Sequence, residues 1–357
     1  MSLPHPGAIR IGVATDEAGR IASVDLRSSR PAGVGRLFVG RNADDAPRLA
    51  ASLFGLCGFS HGVAARRAIA AAGGDPVAPT DDAIGLMAER LAETLRATVL
   101  DWPGAPSDRT SLAAPLREAM MAARALMSRQ ASAVNPAPLL ERLEAAVAAC
   151  GLRPDASEAD GFFGALMGEA RAETLGALQT PDALAPVDDA AVIAALRDGR
   201  ARFAAAPFLP GRVVETGAFA RHWRATTHEK ALLAGRLAAR FRDLRETMNQ
   251  LRRLCAGGAD SLASAGSSGA GEGFAAVETA RGRLYHWVRL DGARRILDYE
   301  MLAPTEWNFH PEGPFVLALR GAEIGSGAAA TRRVARLAAV FDPCVAFEIE
   351  VHEPAHA

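Results

Sequence analysis

From Asp81 to Cys255 the chain is rich in Ala, Leu, Arg and Glu, the residues that lose least on entering a helix. Leu139, Leu140, Leu143, Ala146 and Val147 recur at the 3.6-residue spacing that makes one apolar helix face. Punctuation at Pro103 to Pro106, Asn135-Pro136, Pro154, Pro181, Pro186 and Pro207 to Gly211 divides the region into five or six helices. The last, from about Ala218 to Leu254, is expected to be long, and its Arg-rich run from Arg236 to Arg253 reads as a solvated face.

The flanks follow a different period. Ile9, Ile11 and Val13, then Ile21, Val24 and Leu26, surround Asp16-Glu17-Ala18-Gly19 and predict a β-hairpin. Leu284, His286, Val288 and Leu290, then Ile296, Asp298 and Glu300, surround Asp291-Gly292 and predict a second. Residues 256–273 (AGGADSLASAGSSGAGEG) read as a flexible Gly/Ser/Ala loop. With no repeat and no break in composition, residues 1–357 are expected to form a single domain, mainly α with small β elements (α+β), a helical core between N- and C-terminal hairpins.

Forty basic residues against 41 acidic ones leave no field that would draw nucleic acid or an anionic membrane. No apolar run reaches membrane-spanning length and the start has no leader-like pattern, so a cytoplasmic protein is expected. Four cysteines, Cys57, Cys150, Cys255 and Cys344, are too few for a disulfide framework in so long a chain.

Two of them sit in informative surroundings. Phe54-Gly55-Leu56-Cys57-Gly58-Phe59-Ser60-His61 leads into an Ala/Arg-rich helix that Gly73-Gly74 would end. A helix starting near Cys57 places its thiol and the His61 imidazole one turn apart on one face, and a helix N-terminus and a cationic imidazole both favour thiolate. Alone, the segment reads more simply as a small buried Cys and a hydrogen-bonded His. Near the other end, Phe341-Asp342-Pro343-Cys344-Val345-Ala346-Phe347 sets a Cys on a turn, with His352 beyond.

Taken together, these segments resemble the two cysteine motifs of nickel–iron hydrogenase large subunits. In that family each motif is Cys-x-x-Cys, the first followed by x-x-x-His, the second preceded by Asp-Pro. Further stretches resemble the family in the same order: Gly40-Arg41-Asn42-Ala43-Asp44-Asp45-Ala46-Pro47, Val214-Glu215-Thr216-Gly217-Ala218-Phe219-Ala220-Arg221, Glu278-Thr279-Ala280-Arg281-Gly282, and Ala303-Pro304-Thr305-Glu306-Trp307-Asn308. The resemblance implies a large-subunit-like fold whose termini meet at the centre, with the sulfurs of Cys57 and Cys344 close together.

The departures matter as much. A catalytic member needs four thiolates; here Phe54 and Phe347 stand where two would be. Pro6-Gly7-Ala8 replaces Glu-Gly-His, Ser52 replaces the arginine before the first motif, and the C-terminal family histidine falls at Glu350, with His352 displaced. Only Glu353 to Ala357 follow His352, in place of the extension that locks the cofactor into catalytic members. A site never locked is expected to release its cargo.

This pattern resembles the non-catalytic, HupK-type accessory proteins of hydrogenase maturation. It implies a scaffold or carrier for the iron–cyanide–carbonyl part of the cofactor: Cys57 and Cys344 as iron ligands, His61 and Arg281 around them, Phe54 and Phe347 as pocket wall, no catalytic residue and no nickel. Implied partners are the small maturation chaperone, other maturation proteins and the hydrogenase large subunit precursor. The alternatives are a metal-free protein that mimics the large subunit and a divergent hydrogenase using Glu350 or His61 as replacement ligand. Trp287, Trp307 and Tyr285 read as core aromatics, His222 and His286 as structural, and Cys150 and Cys255 as outside the site.

Overall fold

The computed structural model describes residues 7–75, 82–104, 109–128, 135–153, 158–173, 175–259 and 262–354; Pro6, Pro106 and Pro154 of the sequence argument lie outside them. Strands β1 (Ala8–Thr15) and β2 (Ile21–Ser28) form the expected N-terminal hairpin, with Ile11 opposite Leu26 and Ile9, Ile11 and Val13 facing the core. Helices α1 (Ala46–Leu53) and α2 (Gly58–Gly73) follow, and α2 ends on Gly74 in the left-handed region.

The middle is helical as its composition predicts. It contains α3 (Ala83–Leu100), α4 (Ala113–Met127), α5 (Ala137–Ala149), α6 (Gly161–Ala172) and α7 (Asp189–Ala205). A short parallel pair, β3 (Asp182–Ala183) with β4 (Val214–Glu215), brackets α7. Beyond β4 the expected single helix is two, α8 (Ala218–His222) and α9 (Leu232–Cys255). The break has a cause: the backbone before α9 pairs sideways with residues 176–178, Leu178 N–H donating to Lys230 and Leu232 N–H to Gly176.

The arginine run on α9 is solvated only in part: Arg242 and Arg253 are exposed as expected, but the first two arginines are not. Arg236 and Arg240 are buried. Arg236 grips the Glu215 carboxylate at 2.6 and 3.0 Å and lies 3.9 Å above the Phe341 ring, while Arg240 donates to the Ala339 carbonyl at 2.7 Å. A guanidinium buries its flat face and stem where carboxylates, carbonyls and ring faces meet it, as here even with Arg236 Nε making no hydrogen bond, and spacing alone does not reveal those partners.

The C-terminal part holds a four-stranded antiparallel sheet, β5 (Ala263–Gly269), β6 (Glu272–Thr279), β7 (Gly282–Leu290) and β8 (Ile296–Leu302), paired in that order. β7 and β8 are the expected hairpin about Asp291-Gly292. β5 and the first residues of β6 occupy the stretch expected to be a flexible loop. Small side chains there are a packing solution: α2 lies across β5, β6 and β7, and a Cβ on Gly273 would come within 2.2 Å of the Ala68 carbonyl oxygen and 2.3 Å of the Ala72 nitrogen. Gly273→Ala must therefore push α2 off the sheet. We expect it to cost about 1–3 kcal/mol, visible as a lowered thermal midpoint.

After the sheet come α10 (Pro304–Asn308), α11 (Pro314–Leu319), α12 (Gly327–Phe341) and β9 (Ala346–His352). β9 lies parallel to β1, with Ala346 opposite Ala8, so the sheet order is β2-β1-β9 and the two ends of the described chain meet in one sheet. One apolar core runs from Ile9 to Phe341. A second cluster gathers Tyr285, Trp287 and Trp307, the expected core aromatics.

Candidate functional site

Cys57 occupies the N-cap of α2, reached from α1 through Phe54 in extended conformation. The first turn of any helix leaves N–H groups without partners. Here Glu89 of α3 takes them: Phe59 N–H donates to it at 2.8 Å, Ser60 N–H at 3.0 Å, and the Ser60 hydroxyl bonds it as well. Burial pushes the Glu89 carboxyl above its ordinary range, against these donors. Cys57 is thus held from α3 as well as by its own helix.

Cys344 is set up differently. α12 stops at Phe341, Asp342 takes a left-handed conformation with φ 53°, and Pro343 cannot continue the helix. Thr305, in the first turn of α10, accepts the Cys344 N–H at 3.2 Å and donates its hydroxyl to the Cys344 sulfur at 3.3 Å. Both cysteines are free thiols, and they are electrostatic neighbours. Burial and then the charge on Cys344 push the Cys57 thiol up, while Arg281 pulls it down.

Arg281 is 4 % exposed. Its Nη2 lies 3.5 Å from both Glu93 and Asp342, yet neither Nε nor Nη2 makes a hydrogen bond. Burial opposes its charge, but Asp342, Cys57, Cys344 and Glu93 together hold its pKa above the ordinary arginine range. A permanent cation with two undirected donors therefore stands beside the two thiols.

His61 does not play the expected cationic part. Its ring stacks on Phe54, centroids 3.6 Å apart, and its Nδ1 lies 2.9 Å from Nε2 of His286, whose Nδ1 lies 2.7 Å from the Tyr299 hydroxyl. Burial, His286 and Arg30 hold His61 well below its ordinary pKa, and burial pushes His286 down to about 3. Both rings are neutral at physiological pH. With His61 neutral and the helix N-terminus occupied by Glu89, the thiolate-favouring charge comes from Arg281.

The remaining expectations separate cleanly. Phe347 sits on β9 opposite Ile9 and packs into the main core. Glu350 and His352 project to solvent, 3.9 Å from each other. Ser52 is exposed and donates to the Leu49 carbonyl. His222 bonds Asp243 at 2.8 Å. Cys150 caps α5, where burial pushes its thiol up to about 12.

Sequence reasoning missed Glu89, Thr305, Arg30 and Glu306. Thr305 and Glu306 lie inside a quoted motif, so a signal existed; nothing local marks Arg30. Among the described residues no group of three or more His, Cys, Asp or Glu side chains converges as a metal site, and no helix is long and apolar enough to cross a membrane. Two cavities of about 280 and about 640 Å3 open elsewhere, neither lined by Cys57, Cys344 or Arg281.

Residues 198–352 match the nickel-dependent hydrogenase family. The chain is similar to solved hydrogenases: the NiFeSe hydrogenase of Desulfovibrio vulgaris Hildenborough (TM-score 0.64, 15% identity, 91% of this chain and 93% of that one) and the Ni-Fe-Se hydrogenase of Desulfomicrobium baculatum (TM-score 0.64, 14% identity, 93% and 95%). At such identity the likeness shows fold. Curated relatives say more. The chain is 43% identical to the hydrogenase expression/formation protein HupK of Rhizobium leguminosarum over 98% of this chain and 99% of the relative. It is 36% identical to HupK of Bradyrhizobium diazoefficiens over the whole of both, and 30% identical to HoxV of Cupriavidus necator over 92% and 93%. The chain belongs to the HupK family of hydrogenase expression/formation proteins, built on the fold of nickel–iron hydrogenase large subunits.

Proposed function

We propose that this protein is a non-catalytic, cytoplasmic maturation scaffold that holds an iron–cyanide–carbonyl unit between Cys57 and Cys344 while the nickel–iron cofactor is assembled. The supporting observation is Arg281, electrostatically coupled to the two thiols, whose buried Nε and Nη2 make no hydrogen bond even though Nη2 stands 3.5 Å from Glu93 and Asp342. A buried donor left unmade costs about 1–3 kcal/mol. A cargo that brings its own acceptors, as cyanide nitrogen does, removes that cost with charge-assisted hydrogen bonds.

The donor set favours the same cargo. Two soft thiolates suit iron, and no third ligand group converges among the described residues. An ion held by two protein ligands must carry the rest of its coordination shell with it. On loading, each thiol gives its proton to solvent and forms one sulfur–iron bond in place of a bond from iron to the delivering protein or to water, while the cyanide and carbonyl ligands and the oxidation state of iron are unchanged. Release reverses this. The partners in this reading are the small maturation chaperone, the other maturation proteins and the large subunit precursor.

The enzyme alternative loses its replacement ligands. Glu350 is solvent-facing on β9, and His61 is committed to Phe54 and His286. The test is infrared spectroscopy of protein purified without oxygen from cells that make the maturation enzymes. The expected result is up to one iron, negligible nickel, cyanide and carbon monoxide bands, and no hydrogen uptake. Iron-free protein that still supports maturation would establish the metal-free mimic instead.

A further inference from the structure

At one end of the β2-β1-β9 sheet, Ser29, Ala8 and Ala346 lie abreast: Ser29 N–H donates to the Ala8 carbonyl at 2.9 Å, and Ala8 pairs with Ala346. Two spacings of a sheet are about 10 Å. Arg30 follows Ser29 directly, and Cys344 precedes Ala346 by two residues, so the sheet delivers both to the same rim. The backbone there is tightly fixed. Gly7 has φ +78°, and a Cβ on it would come within 2.7 Å of the Arg30 Cα and nitrogen.

The Arg30 side chain is directed by Glu306. The two form an ion pair in which the side chains are 15% and 19% exposed. Glu306 is the chain neighbour of Thr305, whose hydroxyl holds the Cys344 sulfur. Burial opposes the Arg30 charge, but Cys344, Glu306 and Cys57 together raise its pKa above the ordinary arginine range. Arg30 thus shares with Arg281 an electrostatic coupling to both thiols, while its backbone enters from the N-terminal sheet and that of Arg281 from the β6–β7 turn.

We propose that Arg30 is a second cationic anchor of the cargo site and the residue that makes it select cyanide-bearing iron over bare ferrous iron. This rests on the scaffold reading. Two thiolates already neutralise a ferrous ion, so every cyanide leaves the bound unit more negative. A neutral bis-thiolate iron gains little from a second guanidinium in a buried rim, whereas an anionic unit is stabilised by one on each flank. Glu306 keeps Arg30 in place when the site is empty and prevents an unpaired buried cation.

The test compares wild type with Arg30→Gln, Arg30→Lys and Glu306→Gln in two settings. One is protein loaded in cells making the maturation enzymes, read by infrared spectroscopy; the other is purified protein titrated without oxygen with a ferrous salt alone. Loss of one charge-assisted contact should lower cyanide-bearing occupancy in Arg30→Gln about tenfold or more. Ferrous binding should stay at the wild-type level. Arg30→Lys should restore part of the occupancy with displaced cyanide bands, because a point charge replaces a fork, and Glu306→Gln should fall between. Should Arg30→Gln reduce both forms of iron alike while Arg30→Lys restores neither, Arg30 is only structural. Bands of wild-type intensity and frequency in Arg30→Gln overturn the anchor and leave the scaffold standing, whereas a wild type without bands overturns both.

Discussion

Replacing Cys57 or Cys344 by serine is expected to abolish the cyanide and carbon monoxide bands of protein isolated with its maturation partners. Losing a supporting group around a metal centre costs about 10–100-fold in affinity; losing one of two ligands to a site with no third donor costs more. Serine oxygen is a hard, weakly acidic replacement for soft thiolate. The fold should survive, since serine is nearly the shape of cysteine and Thr305 still has a hydroxyl to meet at position 344. Circular dichroism and thermal melting would check that. Because either substitution empties the site, the double variant should look like the singles. Cells that mature hydrogenase normally with both cysteines replaced would rule out the scaffold.

Asp243→Ala is expected to cost about 3–5 kcal/mol, the usual result of stripping the counter-ion from buried charges. Asp243 is fully buried on α9. It takes Arg90 of α3 at 3.1 Å, Arg221 of α8 at 3.0 and 3.1 Å, and His222 at 2.8 Å. Removing it leaves two guanidinium groups without their main partner, in a domain whose whole stability is about 5–15 kcal/mol. Chemical denaturation should show a large loss, with Asp243→Asn intermediate. The pH dependence has a definite sign. Burial works to raise the Asp243 pKa, but Arg221 and Arg90 hold it well below the ordinary carboxylate value. Its stabilisation is therefore complete above the ordinary aspartate range and is lost only as pH falls toward the folded value. Wild type should weaken steeply in acid, and the Asn variant should lose that part of the slope.

What could be read from the chain followed from features with one physical meaning. Alternation around Asp291-Gly292 admits a hairpin and little else, and Gly74 ends α2 because a left-handed residue is needed there. Cys57 at the start of α2 and Cys344 after Asp-Pro were placed by the same reasoning. The failures share a cause as well. β5 is built of Ala, Ser and Gly because a helix backbone lies against the sheet, a contact made by residues some 200 positions away. Arg236 and Arg240 are buried because Glu215 and the end of α12 meet them. His61 is held neutral by burial, with His286 and Arg30, both distant in sequence, adding to it. In each case the deciding partner is distant in sequence, and periodicity carries no record of it. Arg30 is the extreme example, an arginine in an undistinguished turn that reaches the same rim as Cys344 only because β1 lies between its strand and β9.

The parallel pairing of β1 with β9 also puts the site on a clock. A ribosome adding 5–20 residues per second needs about 20–70 s to go from the first strand to the last. Through that interval β1 has no neighbour on one side, an open edge of the kind other chains add to, and Cys57 has no second thiol. A nascent or truncated chain can present half a site and nothing more. Only when β9 arrives does the free edge of β1 close, so in the proposed scaffold competence to take a cargo cannot precede the synthesis of β9. Ribosome-bound chains stalled before β9 should accordingly carry no cyanide-bearing iron, however long they wait beside the machinery that makes it.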